Sequence, residues 1–403
     1  MGLSTSESPL APKTGARVVV GNHSYKGRCF FTAGPVAAGE VLLKCRPYVS
    51  VPDSESKQRV CAACLRLPNP KDSNSTATVS IQCLDCLQVS YCSTDCQRED
   101  FEMFHKFECR FLKGLNDCAG LSNDVANKEG FSNYTMDYTW LLLRALIRRY
   151  QEYNGLHNDE MTFSDVSNLC SNATAFSEQK LDEFMRVARV LKEFICSCLY
   201  SAESAVPNDF LPPATISNPI LSTELEAMER SLLELICKEE CNSFGLYTFS
   251  YEGRKRPRQS YGVAIYPHAI YFNHSCCPNV GHVSPETTLE KPKGGEMIFY
   301  AVNDMEANVE ACISYVALDD EESTAERRGF LKDVFHFDCD CQRCVSETKS
   351  GSEERGKHIQ KQMKLMLCNL DCKGWFIPKS LKSADSNALW VCEACGRSRQ
   401  TVA

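Results

Sequence analysis

No run of about 18 apolar residues occurs anywhere in the 403-residue chain, so no membrane-spanning helix is expected. The opening residues, MGLSTSESPLAPK, lack the apolar core of a signal peptide. They match the pattern for myristoylation through Gly2 and Ser6, but a single acyl chain beside only Lys13 and Arg17 anchors weakly. A plain polar tail is the preferred reading, and no membrane association is expected. Positive charge is not in excess either. With 44 lysines and arginines against 52 acidic residues the formal net charge is −8, so bulk charge does not draw the chain to nucleic acid. There is no heptad stretch, no internal repeat and no low-complexity tract. Coiled coils and solenoids are thereby excluded, and a monomer is expected.

Cysteine is abundant: there are 25. Without a secretory signal, disulfides explain them poorly. Spacing explains many of them better. Cys61-x₂-Cys64, Cys83-x₂-Cys86, Cys92-x₃-Cys96 and His105-x₃-Cys109 follow one another as four ligand pairs. Eight such donors suffice for two closed tetrahedral zinc sites, which are structural because no position is left for water or substrate. A stretch of about 50 residues buries little core, so metal would supply its folding energy. His105 and Cys109 fall on one face of a helix expected to begin near Thr94. Further on, Cys368-x₃-Cys372 and Cys392-x₂-Cys395 bracket Gly374-Trp375 and Trp390, a spacing that fits another zinc knuckle. Cys29, Cys45, Cys118, Cys170, Cys196, Cys198, Cys237, Cys241, Cys277 and Cys312 have no ligand spacing and read as small buried apolar residues.

Hydrophobic patterning predicts strands over Arg17–Gly21, Glu40–Ser50, Met297–Val302 and Val309–Val316. It predicts helices over 137–151, with Asp137 as cap, over 176–200 and over 222–240. The proline-rich stretch 202–221 and the polar stretch 346–360 read as loop and linker. The class is α+β with zinc modules. Arg254-Lys255-Arg256-Pro257-Arg258 fits a nuclear localisation signal or a nucleic-acid contact, but a solvated loop is the preferred reading.

Four further stretches belong together. They are Lys26-Gly27-Arg28 with Ala38-Gly39-Glu40, then Asn242-Ser243-Phe244, then Asn273-His274-Ser275-Cys276 with Pro278-Asn279. The fourth is Ile313-Ser314-Tyr315, followed by Phe335-x-Phe337-x-Cys339-x-Cys341-x₂-Cys344. Each alone is a weak motif; the ordered set is specific. It resembles the SET methyltransferase fold, and YCSTDCQREDFEMFHKFEC resembles the MYND zinc finger, with Phe104 near the place of a usual tryptophan. Together they resemble the SET-and-MYND (SMYD-type) family of protein-lysine methyltransferases over roughly 15–345.

The resemblance implies a SET β-fold of small sheets split by the inserted finger and a helical insert. The units are a SET N-terminal part at 15–60, a finger at 61–109, a helical insert at 110–240 and a SET catalytic part at 241–337. A post-SET zinc segment follows at 338–345, and the last knuckle lies at 365–398. It implies S-adenosylmethionine as cofactor, contacted by Lys26, Arg28, Asn242, Asn273, His274 and Phe337, and Tyr315 as the residue that orients the substrate amine. It divides the finger's ligands into Cys61, Cys64, Cys92, Cys96 and Cys83, Cys86, His105, Cys109, and places a third zinc on Cys276, Cys339, Cys341 and Cys344. By their spacing alone, and not by the resemblance, Cys368, Cys372, Cys392 and Cys395 would hold a fourth. The partners it implies are a protein carrying the substrate lysine, histone or non-histone, and a proline-rich peptide at the finger. Residence in nucleus and cytoplasm is expected. Two departures stand out: Cys29 where the family has glycine, and Phe335 where many relatives have a second tyrosine.

The chemistry suits these residue types. An attacking lysine amine must be neutral, though its free pKa is about 10.4. A narrow apolar channel lowers it by desolvation, and alignment then supplies much of the rate. No nucleophilic triad is needed. Two other readings compete. One is a finger-based adaptor on an inactive SET scaffold, motivated by Cys29. The other is a zinc-dependent nucleic-acid regulator, disfavoured by the acidic balance.

Overall fold

The fold is described from a computed structural model. It covers residues 16–66, 81–120 (side chains to 114), 132–157, 159–200, 206–214, 226–247, 260–283, 295–316, 323–348, 366–368, 374–379, 389–392 and 395–400. Gly2, Ser6, the 254–258 basic run and Cys372 lie outside the described residues.

The chain begins with a hairpin, β1 (Val18–His23) and β2 (Gly27–Thr32), whose turn uses Gly27 in the left-handed region. β3 (Val41–Cys45) and β4 (Val49–Pro52) follow. The expected single strand over Glu40–Ser50 is thus broken at Arg46-Pro47. Proline has no N–H to give a ladder, and the two pieces join different sheets. The finger holds the short pair β5 (Ile81–Gln82) and β6 (Ser90–Tyr91) and the helix α1 (Thr94–Asp100), capped by the Ser93 side chain. One π turn, Phe101–His105, leads into α2 (Lys106–Gly120).

The helical insert comprises α3 (Asn133–Tyr153), α4 (Phe163–Ser167), α5 (Glu178–Phe194) and α6 (Ala227–Asn242). α3 is its centre, buried nearly all round through Leu141, Leu142, Leu143, Leu146 and Ile147. Each such side chain contributes about 1.5–3 kcal/mol by leaving water. Asp137 does not cap this helix. Ser132 does, accepting from the Thr135 N–H, and Asp137 instead accepts from the Ser54 N–H at 2.8 Å. The helix therefore starts four residues earlier than its apolar pattern indicates, its first turn, Asn133-Tyr134-Thr135-Met136, mixing polar and apolar residues.

Strands then return: β7 (Ser243–Tyr247), β8 (Ser260–Ile265), β9 (Asn273–His274), β10 (Val280–Val283), β11 (Met297–Ala301) and β12 (Cys312–Ile313). Of the expected strand over Val309–Val316 only β12 pairs as a strand. The last elements are α7 (Thr324–Phe335), α8 (Gln342–Thr348), and β13 (Phe376–Pro378), β14 (Leu389–Cys392) and β15 (Ser398–Gln400).

The sheets are small and built across the insertion. β3 pairs with β11 and β4 with β8, both antiparallel. Phe30 N–H donates to the Tyr271 carbonyl and Ala311 N–H to the Phe30 carbonyl, both at 2.8 Å. Residues near 30–52 and near 260–313 thus form one β core around Phe30, Leu42, Phe272 and Phe299, from which finger and helices project.

Candidate active site and metal centres

Two short strands bring the site together. β9 and β12 lie parallel, His274 opposite Ile313, so that Tyr315 emerges beside His274. The Tyr315 N–H donates to His274 Nδ1 at 3.0 Å. That nitrogen must therefore be the acceptor, which puts the ring proton on Nε2. Nε2 lies 3.2 Å from Cys276 Sγ and donates to the sulfur. Burial pushes the His274 pKa down to about 4, so the ring stays neutral. Both ring nitrogens are spent, and only the backbone of His274 is left to meet a cofactor.

The Tyr315 hydroxyl donates to the Phe272 carbonyl at 3.0 Å. Burial pushes this phenol above its ordinary range, so it stays protonated at neutral pH. The rings of Phe335, His274 and Phe337 stand 5.1, 5.4 and 6.4 Å from that of Tyr315, and Phe337 is 6.0 Å from His274. Tyr315 is thus ringed by aromatic side chains, with its one proton directed at a fixed carbonyl.

The charged residues sit at the edge of this group. Lys26 Nζ contacts Glu310 Oε2 at 2.8 Å, and Asn273 Nδ2 donates to Glu310 Oε1 at 3.3 Å. Arg28 reaches the Tyr271 hydroxyl at 3.4 Å and the Asn168 carbonyl at 3.2 Å. Tyr25, in the β1–β2 turn, donates to Asp340 between two of the post-SET cysteines. Asn242 gives its amide hydrogens to the Cys170 and Lys238 carbonyls, each at 2.7 Å, and keeps its carbonyl oxygen to offer. Cys29 is fully buried beneath the hairpin, where burial pushes its thiol up to about 11.

Among the described residues the cysteines gather into four clusters whose donor atoms lie within 4.8 Å of one another. Cys61, Cys64, Cys92 and Cys96 form one; Cys83, Cys86, His105 and Cys109 the next, an interleaved division along the chain. Cys276, Cys339, Cys341 and Cys344 form a third, and Cys368, Cys392 and Cys395 a fourth. Thiolates with one imidazole are the donor set of structural zinc.

The MYND finger model matches residues 61–109, the stretch holding the first two clusters. A SET and MYND domain-containing protein of Dictyostelium discoideum is 24% identical over 349 residues, 81% of each chain. The histone-lysine N-methyltransferase SMYD3 of Homo sapiens is 26% identical over 335 residues, 82% of this chain and 63% of that one. The histone-lysine N-methyltransferase ASHR1 of Arabidopsis thaliana is 25% identical over 383 residues, 93% of this chain and 63% of its own. Over most of its length the chain is similar to SET and MYND domain-containing proteins. It spans less than two thirds of the length of the two named methyltransferases.

Several residues that build this site carry no motif. Glu310 holds Lys26 and Asn273 together across the β core, and nothing in its local sequence marks it. Arg327 is fully buried on α7, ion-paired with Glu347 and 3.9 Å from Cys344 Sγ, where its charge offsets that of the third thiolate cluster. At the finger, His105 Nε2 faces Cys86 Sγ at 3.7 Å while Nδ1 faces Glu108 Oε1 at 3.7 Å. A carboxylate behind a ligating histidine fixes its tautomer and orientation. Glu108 is held in turn by Arg144 and by Trp140 Nε1.

Proposed function

We propose that the chain is a protein-lysine methyltransferase that uses S-adenosylmethionine, with Tyr315 orienting the substrate amine. The carrying observation is the Tyr315 hydroxyl, whose proton is committed to the Phe272 carbonyl inside a ring of aromatic side chains. With its hydrogen spent, the oxygen presents lone pairs only. It accepts an N–H of a lysine amine and so aims the amine's own lone pair. Phe335 and Phe337 exclude water, which disfavours the charged form of that amine. A neutral His274 adds no competing charge and holds Tyr315 from behind.

The donor set fits the cofactor. Lys26 and Arg28 suit a carboxylate, Glu310 and the Asn242 carbonyl suit an ammonium group, and the Phe337 ring suits the face of a purine. When bound, S-adenosylmethionine supplies a methyl group on a sulfonium. Zinc would stand in both finger clusters and in the post-SET cluster. In the post-SET cluster Cys276, three residues after Asn273, would be fastened through it to the segment that carries Phe337.

The test is transfer of labelled methyl groups from S-adenosylmethionine into protein lysines of a cell extract, wild type beside Tyr315→Phe. Removing one preorganised hydrogen-bonding group costs roughly 10²–10³ in rate. Label with wild type and its loss to that extent in the variant is expected. No label from either protein, together with no cofactor binding by calorimetry, would reject the enzyme in favour of an adaptor.

A further inference from the structure

The MYND match ends at Cys109, and the post-SET cluster uses Cys276 and the cysteines at 339–344, so neither accounts for the cysteines beyond 360. Three of these converge. Cys368, Cys392 and Cys395 lie with their sulfurs within 4.8 Å of one another, Cys368 to Cys395 at 3.8 Å. Cys368 and Cys392 are buried and Cys395 is partly exposed.

The backbone around the pair Cys392-x₂-Cys395 supplies a second, independent observation. At the finger knuckle Cys61-x₂-Cys64, the N–H four residues on (Leu65) donates to the Cys61 carbonyl at 2.8 Å, and the Cys61 N–H donates to the Arg66 carbonyl at 3.1 Å. Leu65 takes the left-handed conformation, φ 55°. At the C-terminal pair Gly396 N–H donates to the Cys392 carbonyl at 2.9 Å, and Cys392 N–H donates to the Arg397 carbonyl at 2.7 Å. Gly396 has φ 72°. The second finger knuckle shares part of this pattern: Leu87 N–H donates to the Cys83 carbonyl at 3.1 Å with φ 57°. A side chain at such φ is strained, and leucine there needs something to hold the turn, whereas glycine adopts it freely. The C-terminal turn thus repeats the finger's ligand-presenting turn hydrogen bond for hydrogen bond.

We propose that Cys368, Cys392 and Cys395 hold a further zinc ion that ties the segment at 366–368 to the C-terminal sheet. Strands of three and four residues bury little apolar surface of their own, and metal bound by deprotonated thiols supplies folding energy. That sheet lies on the β3–β11–β10 layer. Trp390 packs on Tyr300, ring centroids 6.0 Å apart, and Phe376 and Ile377 join Val283 and Ile298. Met366 packs against Cys277, the residue after the post-SET ligand Cys276. Metal here supports the wall behind the site without entering it, whether or not the methyl-transfer reading holds.

The experiment uses the full chain, purified without chelator. Zinc per chain is measured by elemental mass spectrometry for wild type, Cys392→Ser and, as control, Cys196→Ser, an exposed cysteine outside every cluster. One zinc fewer in Cys392→Ser and none fewer in Cys196→Ser is expected. An equal count in all three overturns the proposal. A parallel measurement covers a variant that fails to fold: alkylation of wild-type cysteines read by peptide mass. A metal-held Cys395 reacts about tenfold or more slowly than exposed Cys196 and Cys198. A chelator releases Cys368, Cys392 and Cys395 together. Alkylation of Cys395 at the pace of Cys196 before chelation overturns the proposal as well.

Discussion

The finger knuckle at Cys61 and the C-terminal knuckle at Cys392 share a backbone, but the surfaces beneath them differ in kind. Under the finger lies charge. Arg144 of α3, 2% exposed, contacts Glu108 at 2.7 Å and Asp100 at 2.9 Å, and its other arm donates to the carbonyls of Ser50 at 3.2 Å and Ala62 at 3.1 Å. One guanidinium therefore ties finger, helical insert and β core. Under the C-terminal sheet the described contacts are apolar, Trp390, Phe376 and Ile377 on Tyr300, Ile298 and Val283. An ionic junction is directional, and losing one member strands the others as buried charges. An apolar face is not directional, and losing a member costs transfer and cavity terms at that place. The finger should therefore fail together with the body, and the C-terminal sheet should fail by itself.

The largest expected effect follows at Arg144. Arg144→Ala leaves Glu108 and Asp100 buried without a cation and lowers stability by about 3–5 kcal/mol. Urea unfolding followed by tryptophan fluorescence reads this, and finger and body should unfold in one shared transition. Arg144→Lys should recover only part of it, since an ammonium cannot replace a planar fork of five donors. A loss below about 1 kcal/mol for the alanine variant would mean the junction is not ionic in effect, and the contrast would collapse. Trp390→Ala comes next, at about 3 kcal/mol from a lost aromatic and its cavity. Hydrogen exchange should quicken in β13, β14 and β15 while β10 and β11 stay protected. Equal quickening in both sheets would show that the C-terminal module is as integral as the finger.

What could be read beforehand divides along the same line. Metal ligation is local chemistry, so spacing alone named Cys61 through Cys109 and Cys392-x₂-Cys395, and these side chains do converge. The parallel pair that sets His274 beside Tyr315 was legible only as two motifs awaiting a fold. Arg144 was not legible, because an arginine within an apolar helix pattern reads as the solvated face, and only the tertiary packing shows carboxylates waiting for it. Glu310 was hidden likewise, its partners Lys26 and Asn273 lying 284 and 37 residues away. Asp137 misled because an aspartate before an apolar run is a common helix start, and here a serine of the β core competed for it.

The comparison sharpens once more at a buried carboxylate with no guanidinium. Glu108 is fully buried, which alone would push its carboxyl up, yet Arg144 holds it down at about 2. Glu239 of α6, 2% exposed, has no such partner, and its Oε2 makes no hydrogen bond. Burial pushes it up to about 8, and the neighbouring Glu240 adds to this. Ser243 and the more distant Lys180 of α5 oppose the shift, while Tyr134 and Tyr138 of α3 face it as neutral phenols. In the unfolded chain the group titrates near 4.3. Between that value and about 8 the folded chain binds the extra proton, so stability falls as pH rises through this window. Glu239→Gln removes the titration. Its advantage over wild type should grow by about 2 kcal/mol between pH 6 and pH 8.5, a range in which zinc ligands stay deprotonated. Urea midpoints of the two proteins across that range measure it, other titrations cancelling in the difference. Parallel curves would show that Glu239 is ionised in the folded chain, and that a carboxylate without a guanidinium is not what separates the helical insert from the finger junction.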